Sequence, residues 1–231
     1  MKVLSIDTSN LVLGIALVEE DKVIGEYITN LKKNHSVRVM PAIEQLMLEC
    51  DVKPSELTKI VVAKGPGSYT GVRIGVTIAK TLAWTLKIPL VGVSSLEGLA
   101  ANGRYFDGMI SPIFDARRGQ VYTGLYSYTE DKLVLHKDDQ IIQLTEWLDF
   151  LKQNHQKILF IGNDLHLHKD VIQEQLGDLA FFAQVTSSNP RPSELAFLGM
   201  TKKEEDVHTF VPNYIRLAEA EANWLAANKQ S

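Results

Sequence analysis

Gly65-Pro66-Gly67-Ser68-Tyr69-Thr70-Gly71 lies between an apolar run and a helix-forming run, and it has the composition of a turn that can hold an anion or a partner. Gly65 and Gly67 open backbone angles closed to other residues, Pro66 fixes one turn position, and Ser68 or Thr70 can cap the free amides of the helix that follows. Those amides suit a phosphate. The pattern lacks the Gly-Lys-Ser/Thr ending of a Walker A loop and the spacing of a dinucleotide fingerprint, so a tight strand-to-helix turn is the plainer reading. Two acidic turns are the other places for phosphate chemistry. Asp7-Thr8-Ser9-Asn10 offers an acid and hydroxyls but not the glycine a phosphate hairpin needs after its acid. Asp115-Ala116-Arg117-Arg118-Gly119 offers two guanidinium groups, either able to hold a phosphate bidentately, among bulky side chains. Independent ATP hydrolysis is not expected from these turns; a nucleotide near the cleft or shared at a subunit junction is left open. His166 and His168 would share a face on an extended segment, with no third ligand nearby in sequence. His136, His155 and His208 lie in polar stretches, no Gly-x-Ser-x-Gly elbow occurs, and Cys50 falls in an apolar helix pattern where a packed thiol is expected.

The elements that must position these groups follow a doubled plan. Apolar runs at 3–6, 13–18 and 23–28, broken by Glu20-Asp21-Lys22, form a meander. The plan returns as 110–114, Asp115, 120–128, Glu130-Asp131-Lys132 and 133–135, so that Asp7 answers to Asp115. After the meanders, helices are expected at 36–49, 68–86, 145–152, 169–176, 193–203 and 216–228, and strands at 59–63, 90–93 and 158–161. This order implies an α/β architecture of the actin-like (ASKHA, ribonuclease H-like) kind: duplicated lobes, each a mixed five-stranded sheet with flanking helices, holding ligands between them. The expected lobes are 1–104 and 105–213, with a final helix, 214–231, joining the first. The 231 residues allow two lobes of roughly 100 residues each.

Composition narrows the function. A net charge of −4 argues against tight, autonomous binding to nucleic acid, which needs clustered Lys and Arg. The single cysteine rules out a disulfide framework and fits a reducing, cytoplasmic compartment. The opening residues run straight into a strand pattern and reach Asp7 at once, so neither a leader peptide nor a membrane anchor is expected. Two helices carry more apolar surface than one sheet requires. In 68–86, Val72, Val76, Ala79 and Ala83 form one stripe and Ile74, Ile78 and Leu82 another. In 36–49, Val39, Ile43, Leu46 and Cys50 form one and Met40 with Met47 a second, while Pro41 kinks the helix or marks its start. Gly71 and Gly75 would let another backbone approach. Burial of both faces within one monomer is the plain alternative to docking.

Five segments together carry a family likeness: Ile6-Asp7-Thr8-Ser9, residues 65–73, Ser94-Ser95-Leu96-Glu97-Gly98-Leu99, Asp115-Ala116-Arg117-Arg118-Gly119-Gln120-Val121-Tyr122, and Pro212-Asn213-Tyr214-Ile215-Arg216. The set resembles the TsaB family, also called YeaZ, over nearly the whole chain, with 130–190 contributing little. The resemblance implies a cytosolic bacterial protein needed for N6-threonylcarbamoyl modification of adenosine 37 in tRNAs that read ANN codons. It implies a non-catalytic partner of TsaD, the paralogue that transfers the group, with TsaE as a further ATPase component and a separate enzyme making threonylcarbamoyl-AMP. tRNA is then met only through the complex, and no membrane is involved.

The catalytic paralogue carries Val-Asn-His-Leu/Met-Glu-Gly-His, whose histidines, four apart on one helix face, bind a metal. Here Val93-Ser94-Ser95-Leu96-Glu97-Gly98-Leu99 keeps the frame, but Ser95 and Leu99 replace both ligands. No metal site and no catalytic residue is therefore expected, which makes the chain a pseudo-enzyme. The alternatives are an independent M22-type metallopeptidase and an autonomous ATPase or kinase of the same fold. The resemblance also implies a four-helix contact, two helices from each subunit, in a TsaD heterodimer or in a homodimer when the chain is alone. That puts His35, Arg38, Met40, Ile43, Met47, Tyr69, Val72, Arg73, Val76 and Lys80 at or beside the partner surface. Val72→Glu or Val76→Glu is then expected to spare folding and abolish association. No cofactor is expected to be intrinsic; ATP or ADP at the partner interface is left open, with Asp7, Thr8, Ser9, Arg117 and Arg118 as candidate contacts.

Overall fold

A computed structural model describes residues 1–215. The first meander is β1 (Val3–Asp7), β2 (Val12–Glu19) and β3 (Lys22–Asn30), all antiparallel. A short 3-10 turn at His35–Val37 leads into α1 (Val39–Glu49). Pro41 lies in the first turn of α1, where its missing N–H costs nothing, so it marks the start and makes no kink. Next come β4 (Lys59–Ala63), α2 (Tyr69–Leu86), β5 (Leu90–Val93) and α3 (Ser95–Ala100). β4 and β5 add in parallel to β1, giving the order β3-β2-β1-β4-β5. Every residue of β1, β4 and β5 is buried, as expected of strands covered on both faces.

The second half repeats this plan with β6 (Met109–Pro112), β7 (Phe114–Asp115), β8 (Gln120–Thr129), β9 (Lys132–Gln143), α4 (Leu144–Lys152), β10 (Ile158–Ile161), α5 (Lys169–Leu176), β11 (Ala180–Phe182) and α6 (Pro192–Met200). Its sheet has six strands in place of the expected five. The run 110–114 splits into β6 and β7 because Pro112 has no N–H and Ile113 donates instead to the Ile161 carbonyl at 2.8 Å. The expected strand at 133–135 extends to Gln143, paired with β8.

The two sheets exchange their covering helices. α1 and α2 cover one face of the first sheet, packing Val39, Ile43, Val72, Val76 and Ala79 onto Leu4, Ile6, Ile15 and Val62. Its other face is covered by α6, whose Leu195 and Ala196 meet Val3, Ala16, Val61 and Val91. α3, in turn, lies on the second sheet, with Leu96 and Leu99 against Ile110, Tyr126 and Ile161. Packing thus crosses from one half to the other at α3 and returns at α6, so it does not divide at the expected boundary of 104. The return is ten residues and more ahead of 214; the expected final helix lies, from residue 216 on, outside the described residues.

Past α6 the chain straps the edge of the first sheet. Glu205 N–H donates to the Leu90 carbonyl at 2.8 Å, Phe210 is buried against Gly92, and Asn213 N–H reaches the Lys64 carbonyl at 2.6 Å. Among the described residues no helix is long and apolar enough to cross a membrane.

Candidate functional site

The first acidic turn is closed by the start of α2. Asp7, Thr8 and Ser9 are all buried. Asp7 accepts from the Ser9 N–H at 2.8 Å, Thr8 Oγ1 donates to the Gly71 carbonyl at 2.7 Å, and the Ser9 carbonyl accepts from the Ser68 N–H at 2.7 Å. Ser68 caps the helix through its own hydroxyl, which accepts from the Gly71 N–H. The Ser68 and Gly71 amides, two of those that could have met a phosphate, are therefore already engaged within the chain. A Cβ at Gly67 would overlap the Ser9 carbonyl, one at Gly71 the Thr8 carbonyl, and one at Gly75 the Thr8 hydroxyl. These glycines admit the chain's own first turn, not another subunit, which corrects the docking expected of Gly71 and Gly75. Gly65, at φ 104°, is required by the turn itself and has the Asn213 carbonyl against it. Burial raises the Asp7 carboxyl above its ordinary value despite the Ser9 hydrogen bonds. Asp7 and Thr8 are thus bonded within the chain, and all three side chains lie beneath the start of α2.

The segment that carries metal in the paralogue's pattern is filled here by structural contacts. Ser95 is fully buried and exchanges two hydrogen bonds with Gly65, donating its N–H to the carbonyl at 3.0 Å and accepting the Gly65 N–H on Oγ at 3.1 Å. Leu99 is core. Ser94 caps α3, accepting from Leu96 and Glu97, and donates to Asp139 across the junction between the sheets. Asp139 also accepts from the Tyr126 hydroxyl. Burial pushes the Asp139 carboxyl up, and burial with the nearby Asp139 charge pushes the Tyr126 phenol up. Glu97 pairs with Lys202 at 2.9 Å.

α1 and α2 present an outward face that differs in phase from the expectation. Val72 and Val76 are each 2% exposed, and Ile43 and Met47 are buried with them, so a glutamate at 72 or 76 would enter the core and not a partner surface. The reason is that the Val72 stripe is the one packed on the sheet. Its neighbour, Ile74 with Ile78, is half-buried and borders a groove of about 400 Å³ lined also by Ser36, Tyr69, Thr70, Arg73 and Thr77. Met40, Leu48 and Trp84 stand exposed on the same two helices, the last two at 74% and 64%. Tyr69 packs against Tyr214 in a tilted pair with ring centres 4.7 Å apart, and the Arg73 guanidinium lies 5.3 Å from the Tyr69 ring. His35 is buried, its Nε2 2.8 Å from the Asn10 carbonyl, and Arg38 donates to Thr29 Oγ1 at 2.6 Å. Lys80 donates to the carbonyls of His208 and Phe210, at 3.2 and 2.7 Å, and so holds the strap.

The second acidic turn is open. Arg117 and Arg118 are exposed at its tip, at φ 66° and 55°. His168 Nε2 lies 3.1 Å from Asp115 Oδ1, Arg117 N–H donates to Asp115 Oδ2, and Asp115 N–H donates to Asp164. His166 turns instead to the Asn163 carbonyl, so the two histidines share no ligand face. No group of three metal-ligating side chains occurs among the described residues.

Comparison with known proteins decides the family. A model of the TsaD family, described as tRNA N6-adenosine threonylcarbamoyltransferase, matches residues 22–224. The tRNA threonylcarbamoyladenosine biosynthesis protein TsaB of Bacillus subtilis is 62% identical over 99% of this chain and 100% of its own length. The chain belongs to the TsaB family. The TsaB protein of Buchnera aphidicola from Schizaphis graminum is 32% identical, over 70% of this chain and 78% of its own. In fold, YeaZ from Pseudomonas aeruginosa superposes with a TM-score of 0.76 at 22% identity, covering 92% of this chain and 99% of that one.

In this TsaB-family chain the groove adds Ser36, Thr70, Thr77, Ile74 and Ile78 to the residues expected at a partner surface, and Tyr214 packs beside it on Tyr69. The stripe of Ile74 and Ile78 was visible in the sequence; what periodicity could not give was which of two adjacent apolar stripes meets the sheet. Asp139 carried no signal, because its partners Ser94 and Tyr126 are distant in sequence.

Proposed function

We propose that this protein is a non-catalytic subunit of the tRNA threonylcarbamoyladenosine machinery, binding and organising a TsaD-like paralogue through the outer face of α1 and α2. The groove between Ser36, Tyr69, Arg73, Ile74 and Thr77 carries the reading, together with Met40, Leu48 and Trp84 exposed on the same two helices. Large apolar side chains exposed on the same pair of helices favour a protein contact. The pseudo-enzyme reading draws its support from Ser95 and Leu99, both buried in structural contacts where the paralogue's pattern has histidines. A TsaE-like ATPase is a further expected partner, tRNA is met in the assembled complex in the cytoplasm, and the chain pairs with itself when alone.

Met40→Glu and Thr77→Arg test the surface, since both residues are exposed. Each variant should melt as the parent does and fail to co-elute with the TsaD-like paralogue from a sizing column. Co-elution at the parental ratio with both variants would remove this face as the contact. Reconstitution tests the division of labour: the chain alone should leave a tRNA transcript unmodified, and the mixture with the TsaD-like and TsaE-like proteins and threonylcarbamoyl-AMP should modify it. Chelator-sensitive proteolysis, or ATP turnover by the chain alone, would replace the reading with one of the enzymatic ones.

A further inference from the structure

The turn between β7 and β8 spends backbone energy to present two arginines. A reversal of this kind, with successive residues in the left-handed region, prefers Asn-Gly or Asp-Gly. Arg117 and Arg118 instead sit at φ 66° and 55°, followed by Gly119 at 74°. A non-glycine side chain in that region is sterically strained, with its Cβ close to the following carbonyl. Such outliers persist where the surroundings fix them, and here the surroundings do so from every side. Asp115 grips the Arg117 N–H and is itself held by His168, at 3.2 and 3.1 Å. The Asp115 N–H is tied to Asp164 at 2.9 Å. Ala116 N–H reaches the Gln120 carbonyl, Gln120 N–H the Arg117 carbonyl, and Leu144 N–H the Gly119 carbonyl, each at 2.9–3.0 Å. The result is a turn whose backbone is held by hydrogen bonds and which carries two arginines adjacent in the chain, both exposed. Among the described residues no carboxylate pairs with either arginine. In a chain of net charge −4, this pair is a local cationic point with its backbone geometry already set.

Two arginines fixed in this way suit a phosphate oxyanion. A small nucleotide needs enclosure, whereas Arg117 and Arg118 stand exposed at the tip of their turn, and the equivalent first turn is sealed beneath Gly67 and Gly71. An extended phosphodiester needs none: it is held by exposed guanidinium groups that fix its position without reading its bases. We propose that the Arg117–Arg118 turn is an RNA-backbone contact, made to tRNA by this subunit within the complex; this rests on the function proposed above.

The test uses the full chain assembled with its TsaD-like partner and an unmodified tRNA transcript, with affinity measured across a salt series. Each phosphate neutralised contributes about 0.7–0.9 to the slope of log affinity against log salt. The double variant Arg117→Ala, Arg118→Ala should bind the transcript at least several-fold more weakly, with a slope shallower by about 1.5. Arg117→Lys, Arg118→Lys should recover the slope and only part of the affinity, because lysine keeps the charge and loses the fork. Co-elution with the partner, the melting curve and ATP affinity should match the parent. Unchanged tRNA affinity and slope in the alanine variant would overturn the contact, as would a loss confined to ATP or to partner binding. A parental mixture that forms no complex, or leaves the transcript unmodified, would instead defeat the proposed function, and this contact with it.

Discussion

The two acidic turns occupy equivalent places in a doubled fold and have opposite fates. In the first, Asp7-Thr8-Ser9 is buried beneath the start of α2, and Gly67, Gly71 and Gly75 are small so that α2 can lie on its carbonyls and hydroxyl. In the second, Asp115 holds an exposed tip bearing Arg117 and Arg118. The acid is common to both, and in both it binds the backbone N–H two residues on, from Asp7 to Ser9 and from Asp115 to Arg117. The difference lies in what packs on top. Duplication preserves a turn's internal hydrogen bonding more readily than its accessibility, so an acid-bearing hairpin in this fold is no sign of ligand binding until its cover is known.

The most severe way to break the closed side is through the core below it. Val72→Glu or Val76→Glu buries an unpaired carboxylate among Leu4, Ile6 and Val62 and should cost at least about 4 kcal/mol, read as loss of the cooperative urea transition. A folded Val72→Glu monomer would show that the stripe facing the sheet has been misassigned. Gly71→Ala is the sharper probe. Alanine should gain about 1 kcal/mol of helix propensity, yet its Cβ meets the Thr8 backbone carbonyl, and the overpacking should leave a net loss of about 2 kcal/mol in urea. A stabilised Gly71→Ala protein would mean that the first turn is not clamped by α2.

Asp7 gives the closed side a pH signature. Its carboxyl, raised by burial above the ordinary 3.8, binds a proton more readily folded than unfolded. Its contribution is therefore fully present below the unfolded value and is lost as pH rises through the raised folded value. Asp7→Asn should remove that part of the pH dependence, flattening the fall in melting temperature as pH is raised through the acid range. An unchanged profile would place Asp7's titration elsewhere. The smallest effect belongs to the open side: Arg117→Ala and Arg118→Ala should stay within about 0.5 kcal/mol of the parent, since both side chains are exposed and unpaired with any described carboxylate. A larger loss would make this turn structural as well, and the contrast would disappear.

Much of the architecture could be read from the sequence because it rests on local signals. The strands 59–63, 90–93 and 158–161 and the helix 169–176 are found at their expected bounds. Apolar runs bounded by turn residues fix such elements without reference to the rest of the chain. What escaped depends on contacts between distant residues. The seating of α3 on the second sheet and of α6 on the first follows from Leu99 meeting Ile161 and Leu195 meeting Val61, pairings no local period encodes. The glycines of 65–75 stand out locally, but the body that Gly67, Gly71 and Gly75 make room for is Thr8 and Ser9, some sixty residues earlier. Helix phase is the other example: of the two apolar stripes on α2, Val72, Val76, Ala79 and Ala83 meet the sheet, while Ile74 and Ile78 lie outside them.

The exchange of α3 and α6 has a mechanical meaning. A two-lobed enzyme that works by closing on its ligand swings one lobe about a hinge while each keeps its own core intact. In this molecule a swing would drag Leu195 and Ala196 off the first sheet or Leu96 and Leu99 off the second, exposing several fully buried side chains at once. The crossed helices act as a pair of dowels, and the protein should answer a load on one lobe by moving as one piece, a property better suited to a scaffold than to a jaw.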